Sequence, residues 1–130
     1  MMSAPRGSPA MKTVRLDRDV FEHQRLERLS VRIRRLIKKW EPILGVHVKE
    51  AHHQPLKTYW ASANEREHKI TFNSKLVDMS PAYVEVTVVH EMVHFLTDGH
   101  DKHFYELMDR HVPNWRRLHA KYAEPLTRDS

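Results

Sequence analysis

The chain has 130 residues, no cysteine and a formal charge of +5 with histidine neutral. That length suits one domain with one modest core, and the missing thiols exclude disulfides and thiolate metal sites, so any metal must be held by nitrogen and oxygen. With 30% charged residues, a mean hydropathy of −0.68, no apolar run near a membrane span and no apolar segment in the first ten residues, it reads as a soluble cytoplasmic protein with no membrane partner.

Residues 1–14, rich in Pro, Ser, Gly and Ala, have little to bury and predict a disordered tail; 125–130 predict a flexible C-terminus, leaving a single domain at 15–124. Asp17 or Asp19 can cap a first helix. In it Leu26, Leu29, Ile33, Leu36, Ile37 and Trp40 recur at spacings of three and four and share one face. Pro42 and Gly45 are expected to end it. Short, partly alternating segments at 46–49, 57–61 and 69–73 predict a small, mostly antiparallel three-stranded sheet, with the polar residues 64–67 as a hairpin loop. Ser80 as N-cap and Pro81 at the first helical position predict a second helix, running to Gly99. Val84, Val86 and Val88 alternate like a strand, but the start signal and the motif that follows decide for a helix. Asp101 can cap a third helix to about His111, and a short last helix covers 115–123. The fold class is α+β.

The 11 histidines are the most telling feature, because of where they stand. His90-Glu91-Met92-Val93-His94 matches HExxH. On a helix, residues four apart lie one above the other, so both imidazoles share one space, with Glu91 beside them and able to act on water at a metal without ligating. Val84, Val88, Val89, Met92, Phe95 and Leu96 fall on roughly the opposite face, so one side is expected to pack and the other to present chemistry. His100 stands just past Gly99 and would complete three protein ligands with an open fourth position, the arrangement of a catalytic zinc. His103 and Glu106 compete for that third place. Ligation by both His100 and His103 would close the site with four histidines and make it structural.

From about Arg25 to Glu124 the sequence resembles the YgjP-like metallopeptidases and the related WLM and SprT-like families. The resemblance is carried by Trp60-Ala61-Ser62, Ile70-Thr71-Phe72-Asn73, His90 to His94, and His100-Asp101-Lys102-His103-Phe104-Tyr105. It implies a minimal zincin-like domain, with a zinc ion on His90, His94 and His100 and Glu91 as catalytic acid/base. His103 falls at a variable position of that pattern. The usual Gly-Ser-Cys after the tryptophan is here Ala61-Ser62-Ala63, and the longer N-terminal region of YgjP-like proteins has no counterpart, so specificity borne there does not carry over.

The implied chemistry is zinc-assisted peptide hydrolysis. Tyr83, His103 and Tyr105 are candidate donors to the oxyanion, and Asp98 and Asp101 could orient ligand imidazoles. The segment 59–62 is expected to pair with an extended or unfolded polypeptide through its backbone. Arg25, Arg28, Arg32, Arg35 and Lys39 form a stripe beside the apolar face of the first helix. Such a stripe could follow a DNA backbone, and some WLM and SprT-like relatives act on proteins attached to DNA. Two other readings are a non-catalytic zinc-stabilised nucleic-acid-binding module, which has no need of Glu91, and a metal hydrolase of non-peptide substrates.

Overall fold

The computed structural model describes residues 9–121, with side chains described from 18 to 121. The elements are α1 (Pro9–Leu44), β1 (Glu50–Gln54), β2 (Ala61–Asn64), β3 (Lys69–Asn73), a 3-10 turn at Ser74–Asp78, α2 (Pro81–Val93), α3 (Lys102–His111) and α4 (Trp115–Lys121). Among the described residues, no helix is long and apolar enough to cross a membrane.

Helix α1 starts earlier than expected. Pro9 opens it, Asp17 and Asp19 lie inside it, and residues 9–14 belong to it rather than to a tail. Proline is well placed at a first helical position, and no Gly or Pro interrupts the run from there to Pro42. Residues 1–8 and 122–130, including the C-terminal segment 125–130, lie outside the described residues. At the other end Pro42 sits within the last turn, and Gly45 makes the stop. Gly45 has φ +72°, and the N–H groups of Gly45 and Val46 both reach the Glu41 carbonyl, at 2.8 and 3.3 Å. The Glu41 carboxylate then accepts the Val48 N–H at 2.9 Å and directs the chain into the sheet.

The expected apolar face is the one α1 packs. Leu29, Ile33, Ile37 and Trp40 are buried, and Leu26 and Leu36 are half-buried. This face lies against α2, where Glu85 joins the two helices by accepting from Lys39 Nζ at 2.6 Å and from the Trp40 indole at 2.8 Å. Burial raises the Glu85 pKa, but these two donors outweigh it and hold the carboxyl below its ordinary value.

The sheet has the order β1-β3-β2. The β2–β3 hairpin is antiparallel as expected and turns at 65–68, one residue later than 64–67, but β1 runs parallel to β3, so the sheet is mixed. Both outer strands also start later than the sequence suggests. Val48 is drawn into the core, so pairing along β1 begins only at Glu50. Residues 57–60 approach β2 as a bend, held by Asn73. This asparagine is fully buried; its amide donates to the carbonyls of Leu56 and Tyr59, at 3.0 and 2.9 Å, and its oxygen accepts from the Lys75 N–H at 3.0 Å. Its backbone N–H bonds the Trp60 carbonyl at 2.8 Å.

Helix α2 starts on the expected cap, with Ser80 Oγ accepting the Tyr83 N–H at 3.2 Å. It is the central element. Val84, Val88, Val89 and Met92 are buried as expected, whereas Phe95, half-buried, and Leu96, exposed, fall beyond the helix; Tyr83, Val86, Thr87 and Val93 are buried on its other sides. The alternating valines have the composition of a buried strand because this helix is apolar almost all round, packed against α1, β2, α3 and α4.

Asn73 therefore holds the bend that delivers the chain into β2. Asn73→Ala would leave four backbone groups without their partner and open a small buried void, and should destabilise the protein by about 2–4 kcal/mol. Urea unfolding of the two proteins checks this; a loss below about 0.5 kcal/mol would contradict the assigned role.

Candidate metal centre

Helix α2 ends at Val93, short of the expected stop at Gly99, and His94 is its C-terminal cap. The next residues tighten into turns, with Phe95 N–H on the Met92 carbonyl at 3.1 Å and Leu96 N–H on that of Val93 at 2.8 Å. Thr97 Oγ1 then bonds the Gly99 carbonyl at 3.0 Å, and Gly99 itself has φ +69°. A left-handed residue here reverses the chain at little steric cost, which glycine permits. His100 is thereby returned to His94. Asp101 accepts the Phe104 N–H at 2.9 Å and starts α3 as expected.

His90, His94 and His100 come together. One ring nitrogen from each lies within 4.8 Å of the others. His94 Nε2 and His100 Nε2 are 3.2 Å apart. Two nitrogens each about 2.0–2.1 Å from a tetrahedral ion would stand roughly 3.3 Å apart, so this pair already has the spacing of two ligands. His100 is exposed as a whole residue, and partial desolvation of its ring is the main force lowering its pKa; His90 adds to it and Glu91 partly opposes it. That favours the neutral imidazole, the form that binds metal.

Glu91 is 2% exposed and lies beside the histidines, with Oε2 3.1 Å from His90 Nδ1. A proton on Nδ1 donated to that oxygen leaves Nε2 of His90 with its lone pair available to a metal. Phe104 supplies an apolar wall that touches all three imidazoles, its ring centre 5.1 Å from His90, 5.2 Å from His94 and 4.5 Å from His100.

The rivals for the third place stand elsewhere. His103 and Glu106 are exposed on α3 and face one another, Nδ1 to Oε1, at 4.0 Å. Among the described residues the cluster with metal-holding geometry is the three-histidine one, so the four-histidine arrangement does not form. Asp98 is exposed with no hydrogen bond to the three histidines, and Asp101 is engaged in its cap. Tyr83 is buried with its ring edge-on to Trp60 at 5.9 Å, while Tyr105 is partly exposed, 6.4 Å from His100 between ring centres.

Two neighbours of the site have no signal in the local sequence. Glu65, in the β2–β3 turn, places Oε2 4.0 Å from His94 Nδ1, and the same turn stacks His68 on Phe95 at 4.6 Å. His119 on α4 is half-buried, and its pKa is lowered by burial and then by the field of His90. Both arrive through tertiary packing, the first by the hairpin and the second by α4 lying on α2.

The model of the YgjP-like metallopeptidase domain matches residues 6–124 of the sequence. No curated protein matches it. Among solved structures, the fold is similar to the crystal structure of the metallopeptidase zymogen of Pyrococcus abyssi abylysin, with a TM-score of 0.61 and 18% sequence identity over 72% of this chain and 98% of that one. At that identity the likeness carries the α+β zincin-like fold alone. With three imidazoles gathered at the end of α2 and the domain match extending over nearly its whole length, the chain belongs to the YgjP-like metallopeptidase family.

Proposed function

We propose that this metallopeptidase is a zinc-dependent endopeptidase with His90, His94 and His100 as metal ligands and Glu91 as general acid/base. The observation that carries the reading is the convergence of three ring nitrogens within 4.8 Å, next to a buried carboxylate. An all-imidazole donor set suits zinc and leaves a fourth position open. Zinc, when bound, supplies a Lewis acid that makes water nucleophilic near neutral pH and polarises the scissile carbonyl.

The chain's own part is proton transfer, orientation and exclusion of water. Glu91 takes a proton from the attacking water and returns it to the leaving nitrogen. His90, bonded to Glu91 Oε2 through Nδ1, holds that carboxylate in place. Phe104 closes the inner side of the site to solvent. A structural zinc site needs no general base beside the metal, which weighs against a non-catalytic module. The half-exposed Tyr105 is better placed than buried Tyr83 or the outward His103 to donate to the oxyanion.

An extended or unfolded polypeptide is the substrate we favour. Among the described residues β2 is an outer strand of the sheet and packs beside α2, the helix that carries His90, so its free edge offers backbone groups to an extended segment. Backbone pairing along the Ala61–Asn64 strand tolerates many side chains and gives loose specificity.

We also propose DNA as a partner of α1, over a shorter stripe than the five cations suggest. Arg25 is engaged by Asp78 at 2.6 Å and Glu22 at 2.9 Å, and Lys39 by Glu85 at 2.6 Å. Arg28, Arg32 and Arg35 are exposed and have no acidic partner among the described residues, which leaves them as the phosphate-binding middle.

Three outcomes test these readings. Glu91→Gln should keep about one zinc per chain and lower peptide hydrolysis by at least about 10²-fold, since it removes a base and no ligand; near-normal activity would overturn the mechanism. His100→Ala should bind zinc far more weakly, while His103→Ala and Glu106→Ala keep it, as read by metal analysis after dialysis; the reverse pattern would move the third ligand to α3. Reversing Arg28, Arg32 and Arg35 to Glu should abolish a low-salt, salt-sensitive affinity for duplex DNA without changing zinc content. DNA binding unchanged by that reversal would remove α1 from the interface.

A further inference from the structure

On the opposite flank of α1 from the stripe Arg28, Arg32 and Arg35 lies a groove of about 490 Å³, away from the metal ligands. One wall is the α1 flank bearing Arg34 and Lys38. The other is the continuous run from His47 to His53, which contains most of β1. Among the described residues β1 is an outer strand, bonded to β3 on one side only, so its other edge carries backbone N–H and C=O groups without a strand partner. Ile33, Ile37 and Val48 form an apolar floor.

The charges around this groove are unbalanced. Both of its carboxylates are engaged within the fold. Glu41 accepts the Val48 N–H at 2.9 Å and sits 3.2 Å from His47 Nδ1, and Glu50 pairs with Lys69 at 3.1 Å. Arg34, Lys38 and Lys49 are exposed and have no acidic partner among the described residues. His53 is held inward by hydroxyls on both sides, Ser74 Oγ at 2.8 Å and Ser30 Oγ at 3.0 Å, which ties the strand to α1 and keeps the groove's width.

From this combination we infer that the groove between α1 and β1 is a docking site, separate from the metal centre, for an extended acidic polypeptide segment that pairs with the free edge of β1. The unpaired edge supplies main-chain hydrogen bonds, the floor takes alternate apolar side chains, and the three cations meet carboxylates on the rim. A nucleic acid fits less well, because it cannot use a strand edge and has no apolar side chains for the floor. The site stands whether or not the chain hydrolyses peptides, since none of its residues belongs to the metal cluster.

The test uses full-length Glu91→Gln protein, so that no probe is cleaved, and a fluorescent hexapeptide of alternating Glu and Val with blocked ends. Saturable binding is expected. It should weaken at least about tenfold when Arg34, Lys38 and Lys49 are all reversed to Glu, and the matching Lys/Val peptide should bind at least about tenfold more weakly. N-methylating one alternate set of probe amides should abolish binding to the unreversed protein, and methylating the other set should leave it nearly intact, because a paired strand uses every second amide. Zinc content should be the same with and without the triple reversal. Absent binding, equal binding of the Lys/Val peptide, insensitivity to the reversal, or equal effects of the two methylated sets would each overturn the inference. So would a duplex DNA that binds this groove more tightly than the acidic probe and loses its affinity on the same reversal.

Discussion

Three imidazoles facing one another across a few ångströms are the constraint on which the rest of this structure depends. Protonated, they would repel; neutral, their lone pairs crowd together against the ring of Phe104 in a partly desolvated space. A cation resolves both problems, and the neighbouring structure serves to hold the rings where a cation can join them. α2 is buried almost all round, which anchors His90 and His94. The turn through Gly99 and the Asp101 cap bring His100 back to them. Binding energy at such a site is also folding energy, because the unfolded chain has no comparable cluster.

The same architecture separates three surfaces, to which we assign different partners. β2, the outer strand packed beside α2, suits a strand held for cleavage under the function proposed. One flank of α1 carries arginines with no local carboxylate, while the other flank and the β1 edge enclose the basic groove. The ion pairs formed by Arg25 with Asp78 and Lys39 with Glu85 show why a stripe of charge in sequence is longer than the stripe in space. Arg25 and Lys39, at the two ends of the stripe, are taken up in joining α1 to its neighbours.

Much of this was legible in the sequence wherever the signal is local. The Ser80 and Asp101 caps, the stop at Gly45, the apolar face of α1 and the β2–β3 hairpin rest on side chains and periodicities within a few residues, and each appears in the structure, the hairpin turn one residue later than expected. HExxH placed His90, Glu91 and His94 by helical geometry alone. What failed was governed by tertiary context. Val46–His47–Val48 and Thr58–Tyr59–Trp60 have strand composition, yet the core takes Val48 and the Asn73 amide takes the carbonyls before β2, so both strands begin later. The parallel pairing of β1 leaves no trace in the residue pattern, and α2 could be read as one-sided only because its burial by four neighbours is not written in its own periodicity. Glu65 and His119 reach the metal cluster across the fold, so no spacing could have announced them.

The central claim is that His90, His94 and His100 hold one zinc ion with an open fourth position. X-ray absorption at the zinc edge of the purified, zinc-loaded protein tests it most directly. The account predicts a four-coordinate shell of nitrogen and oxygen at about 2.0–2.1 Å, with the outer scattering of three imidazoles, falling to two in His100→Ala. A shell with four imidazoles, a six-coordinate oxygen shell, or three imidazoles that persist without His100 would contradict it.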